Sequence, residues 1–75
     1  MRNFATVDVV ATGNNILILR KNAGMTVKDL QKVFGFASPQ AIYKWQSGQA
    51  MPSLDNLVVL SAIFNVMIDD IVIRK

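Results

Sequence analysis

Between Ser38 and Gly48 the chain places Gln40, Tyr43, Lys44 and Ser47 at offsets 0, 3, 4 and 7. On a helix that spacing makes one continuous stripe of hydrogen-bonding groups. The chemistry on offer is recognition, not bond breaking. A glutamine can pair bidentately with adenine, a lysine can donate to guanine, and a small hydroxyl such as that of Ser38 can serve a base or a phosphate. Catalysis has little to work with. There is no histidine and no cysteine, which removes the commonest general base, the commonest metal ligand and any cysteine–zinc site. Of the five carboxylates only Asp69 and Asp70 are neighbours, and neighbours on a helix do not face each other. An enzyme is not expected, and neither a metal nor a cofactor is implied.

At 75 residues the chain is one domain with no disulfide to hold it, so a small core must position the stripe. The stripe's own segment begins Ser38-Pro39, with Ser38 expected as the cap and Pro39 in the first helical position, where a missing N–H is harmless. Ala41, Ile42 and Trp45 fall on the opposite side and anchor the helix, and Ser47-Gly48 stops it. For Trp45, a place in the core is preferred to stacking on a base. Before it, "TVKDLQKVFG" reads as a helix capped by Thr26, with Val27, Leu30, Val33 and Phe34 on one face and Gly35 as the stop. Lys28 and Lys32 share the other face, for phosphate contact or for plain solvation. "TGNNILILRKNAG" reads as the first helix, capped by Thr12 or Asn14, with Ile16 and Leu19 inward. "PSLDNLVVLSAIFN" reads as a fourth, capped by Ser53, with Leu54, Leu57, Leu60, Ile63 and Phe64 inward. "VMIDDIVIRK" closes the chain as a short fifth helix running into an extended tail. The expectation is an all-α bundle of four to five short helices. Residues 1–12 form an arm or packing segment, and residues 13–75 form the domain.

The helices at 26–34 and 38–47 meet across Gly35-Phe36-Ala37, the short glycine-containing connection of a helix-turn-helix, here about 26–47. In that motif the first helix braces the second, whose polar face enters the major groove. "TVKDLQKVFG", "SPQAIYKWQSGQAMPSLDNLVVL" and "FNVMIDDI" together resemble the Cro and phage-repressor-like helix-turn-helix family, also called the xenobiotic-response-element type, over residues 13–73. The resemblance implies a lambda-repressor-like fold and DNA binding through Ser38, Gln40, Tyr43 and Lys44. It also implies a phosphate contact from Arg20 at the end of the first helix, and help from Gln49 in the loop after the third. Several positions depart from the family pattern. The turn is one residue longer, at Phe36 or Ala37, and Gln31 stands where a small residue is usual. Val27 replaces a phosphate-binding glutamine, Gln46 replaces an acid that pairs with the helix-one arginine, and Leu17 and Ile18 stand where basic residues are common. Tyr43 either touches phosphate or a thymine methyl, or covers the contact between helices two and three.

Charge is asymmetric. Residues 1–50 hold six basic residues against two aspartates, and residues 51–75 hold two against three. That distribution suits one face turned to a polyanion, or ordinary solvated surface. The apolar content of 52% exceeds what one small core absorbs, with Leu17, Ile18, Val58, Val59, Ile71, Val72 and Ile73 in surplus. Some of this surplus is expected against Phe4, Val7, Val9 and Val10, and some in a homodimer that spaces two recognition helices about one DNA turn apart. Met25, Met51 and Met67 are expected to fill gaps. No apolar run approaches the roughly 20 residues of a membrane span, and no signal peptide opens the chain, so a cytoplasmic, nucleoid-associated protein is expected. The function these readings imply is a sequence-specific transcriptional regulator, most simply a repressor, with double-stranded DNA as its partner. The alternative is an antitoxin-like protein-interaction module with a protein partner and secondary or lost DNA binding.

Overall fold

A computed structural model describes residues 6–75, so Phe4 lies outside the described residues. Among these, five helices follow in order: α1 Val9–Asn22, α2 Val27–Phe34, α3 Gln40–Ser47, α4 Leu54–Phe64 and α5 Ile68–Ile71. The all-α expectation holds. Each helix contributes to one core of Ile16, Leu30, Ile42, Trp45, Leu57, Leu60, Phe64 and Ile71. Ile16, Leu30, Ile42, Leu60 and Ile71 are fully buried, each worth about 1.5–3 kcal/mol of transfer free energy.

Helix α1 begins earlier than its sequence signals suggest. Its cap is Asp8, whose carboxylate accepts from the Ala11 N–H at 3.0 Å, and neither Thr12 nor Asn14 caps it. The C-terminal tail has claimed Thr12 instead. The Thr12 hydroxyl is fully buried, accepting from the Ile73 N–H at 2.9 Å and donating to the Ile73 carbonyl at 3.4 Å. Around that contact Val7 pairs antiparallel with Arg74. The Asp8 N–H donates to Ile73 O, and the Lys75 N–H donates to Thr6 O, each at 2.8 Å. Asn15 adds a side-chain clamp. Its amide donates to the carbonyls of Asp70 and Ile71 at 2.8 and 3.0 Å, groups that a four-residue helix cannot pair internally. The extended tail and its contact with the segment around Val7 were both expected, but the use of the Thr12 hydroxyl was not.

Helices α2 and α4 start where the sequence says. Thr26 and Asp29 form a reciprocal capping box, and the Ser53 hydroxyl accepts from the Asn56 N–H at 3.2 Å. Two residues assigned to the core stripes are corrected. Val33 is 53% and Leu54 69% exposed. Successive residues are about 100° apart on a helix, which puts Val33 roughly a quarter turn from the Val27–Leu30–Phe34 face. Leu54 is displaced by a similar angle from the stripe of Leu57, Leu60 and Phe64. Met67 is also exposed, so it fills no gap. Val10 is largely exposed, whereas Val7 is 42% exposed and Val9 half-buried, so the segment absorbs only part of the apolar surplus.

Candidate nucleic-acid interface

Three separate contacts hold α3 in place. The first comes from α2 and the turn. Phe34 and Phe36 stack at 5.1 Å, and both meet the Trp45 ring edge-on, at 5.4 and 5.9 Å. Such pairs add about 0.5–1.5 kcal/mol beyond their burial. Gln31 fixes the turn from both sides: its carbonyl accepts from the Phe36 N–H at 3.1 Å and its side-chain amide donates to the Phe36 carbonyl at 3.2 Å. The extra turn residue and the large residue at position 31 therefore answer each other. Trp45 is 4% exposed and is a core anchor.

The second contact is with α1, which crosses α3 at close range. A Cβ at Gly13 would lie 2.0 Å from the Trp45 carbonyl and 2.9 Å from that of Gln46, so only glycine allows this approach. The third is Arg20, which is 9% exposed. Its Nε donates to Gln46 Oε1 at 2.9 Å and its Nη1 to the Met25 carbonyl at 2.8 Å. Arg20 thus ties the end of α1 to the following loop and to α3.

At the start of α3, Ser38 does not cap. Pro39 occupies the cap position, no side-chain cap bond forms, and Ser38 is exposed. At its end, Gly48 takes a left-handed conformation (φ 79°) and its N–H bonds back to the Trp45 carbonyl. Between these points Gln40, Tyr43, Lys44 and Ser47 are exposed, while Ile42 and Trp45 are buried. The polar stripe and its anchors thus sit where helical periodicity places them.

Gln40, Tyr43, Lys44, Ser47 and Gln49 share the wall of an open concavity of about 510 Å³. Ser38, Lys28 and Lys32 are exposed but lie off this wall, and Arg20 lies beneath it. Two residues absent from the sequence-based site complete the wall, Leu17 from α1 and Gln46 from the flank of α3. Gln46 was within reach of the periodicity, since it follows Tyr43 by three. Leu17 depends on how α1 crosses α3, which no local pattern encodes.

Among the described residues no helix is long and apolar enough to cross a membrane. A family model described as helix-turn-helix matches residues 16–71, which include the whole of α2, α3 and α4. No curated protein and no solved structure matches the chain. With its braced α2, its amphipathic α3 and that match, the chain belongs to the Cro/C1-type helix-turn-helix family of DNA-binding transcriptional regulators.

Proposed function

We propose that the protein is a sequence-specific repressor that lays α3 in the major groove. One observation carries this reading: α3 is anchored by buried Ile42 and Trp45 while Gln40, Tyr43 and Lys44 project together from its other side. In this reading those three read base edges, and Ser38, Ser47, Gln49, Lys28 and Lys32 set the register on the phosphates. Arg20 contributes from beneath, by holding α3. Residues 13–75 make the DNA-binding domain, and of the preceding segment the described residues 6–12 join it through the Val7–Arg74 pairing and the first turn of α1. The working form is a cytoplasmic, nucleoid-associated homodimer on a palindromic site. The exposed apolar stripe of Leu54 and Val58 on α4 supports self-association.

The test is selection of bound duplexes from a random pool, followed by titration at several salt concentrations. One sequence class should be enriched, with two half-sites about one helical turn apart and affinity falling steeply with salt. The same α4 stripe would serve a second reading, an antitoxin-like module whose main partner is another protein. Selection without enrichment of any sequence would defeat the repressor reading and leave the second.

A further inference from the structure

Gln46 stands beside the stripe of α3, half-buried on the flank toward α1. Its side-chain oxygen accepts from Arg20 Nε at 2.9 Å. An arginine only donates, so this contact decides which way the amide points. The oxygen faces the guanidinium and the NH₂ faces away. No acceptor among the described residues takes an amide hydrogen from Gln46 Nε2. No side-chain nitrogen or oxygen there is buried without a partner, so Nε2 reaches solvent. Gln46 is one of the residues lining the concavity, with Leu17, Lys44 and Ser47.

What lies behind that amide matters as much. Arg20 is 9% exposed and its two partners, Gln46 Oε1 and Met25 O, are both neutral acceptors. Its charge is not cancelled at either contact, and burial weakens the screening that water would provide. A guanidinium donating into an amide oxygen polarises the amide and strengthens its N–H groups as donors. The ligand that fits a polarised donor backed by a cation, with the Lys44 ammonium on the same wall, is an anionic oxygen. The groove into which α3 would fit is edged by phosphates, and Gln46 sits on the flank of α3 instead of its crest.

We infer that Gln46 is a DNA-contacting residue whose Nε2 donates to a backbone phosphate, with Arg20 orienting it from beneath. This rests on the DNA-binding reading above. Two variants separate its parts. Gln46→Glu keeps an acceptor for Arg20, so its melting temperature holds or rises, yet it loses the donor and repels phosphate. Its affinity for the duplex selected by the parent should fall tenfold or more, by about the scale of a charge-assisted contact. Gln46→Met removes the donor without adding charge and should lose roughly three- to tenfold. Duplexes carrying a single neutral methylphosphonate then locate the partner. At one position the parent should weaken several-fold, Gln46→Met should weaken no further, and the penalty of Gln46→Glu should shrink. Should Gln46→Met not fold, that shrinkage in Gln46→Glu decides the matter alone.

A loss in Gln46→Glu with none in a folded Gln46→Met would overturn the donor role and leave repulsion only. Parent-like affinity in both variants, or identical methylphosphonate profiles in all three proteins, would overturn the inference while the DNA-binding reading stands. Failure of the parent to select any sequence would bring down both.

Discussion

Helices α3 and α4 bury similar apolar stripes and turn opposite surfaces to solvent. α3 holds Ile42 and Trp45 in the core and presents Gln40, Tyr43, Lys44 and Ser47. α4 holds Leu57, Leu60 and Phe64 in the core and presents Leu54, Val58 and Val59, which are 69, 52 and 36% exposed. A polar outer face is already solvated and exchanges water for another polar surface at little loss. An apolar outer face gains by being covered. The difference suits the division of labour proposed above, polar recognition on α3 and protein contact on α4, and each can be broken alone.

The largest effect is expected where α3 is seated. Gly13→Ala would drive a methyl to within 2.0 Å of the Trp45 carbonyl, against backbone on a rigid helix. Overpacking of this kind costs about 1–3 kcal/mol, and more when the obstacle cannot move. Denaturant unfolding should give a loss of about 3 kcal/mol, removing recognition and core together. A loss under about 0.5 kcal/mol, the range of ordinary surface changes, would mean that α1 and α3 do not approach as closely as described.

Next comes the presented face of α3. Lys44→Ala and Gln40→Ala should each weaken binding to the selected duplex by about 1–3 kcal/mol and relax preference at one base position, with stability unchanged. On the other side of the comparison, Val58→Lys places a charge in the middle of the α4 stripe. Sedimentation should show self-association weakened about tenfold or more, equivalent to about 1.4 kcal/mol. Binding to an isolated half-site should be unaffected. If Val58→Lys impaired half-site binding and left association intact, the division of labour between the two faces would be wrong.

Much of this was legible in the sequence because it is local. The cap at Thr26, the stops at Gly35 and Gly48, and the two faces of α3 follow from residue types at helical spacing, and the structure reproduces them. What escaped is long-range. Thr12 carries every mark of a cap, but its hydroxyl is used by Ile73, 61 residues away, and the helix starts at Asp8 instead. Leu54 and Val33 fit an apolar spacing, but each lies about a quarter turn from the buried face of its helix. In the sequence, the longer turn before α3 and the larger residue at Gln31 are two unconnected departures from the family pattern. In the structure the Gln31 amide bonds the Phe36 carbonyl, and the two departures form one arrangement. Leu17 reaches the concavity beside α3 only through the crossing of α1 and α3, which Gly13 permits, whereas Gln46 follows Tyr43 by three on α3 itself.

The smallest effect sharpens the comparison through pH. The α2 brace beneath α3 starts at a capping box in which the Asp29 carboxylate accepts from the Thr26 N–H at 2.8 Å. That backbone hydrogen bond, with the Thr26 side chain and more weakly Lys32, holds the Asp29 pKa below its ordinary 3.8. Depression favours the charged form in the folded state. The stabilisation is therefore complete above the unfolded pKa and is lost as pH falls through the lower folded value. α4 starts on the Ser53 hydroxyl, which does not titrate in this range, so its cap brings no such dependence. Asp29→Asn can still accept at the cap but cannot be protonated there. Between about pH 5 and pH 3, across the usual carboxylate range, the melting temperature of the parent should fall slightly more than that of Asp29→Asn. Amide exchange should place the difference in the first turn of α2, with the first turn of α4 unchanged. Equal slopes for the two proteins, or matched loss of protection at both helix starts, would show that acid acts on the fold as a whole.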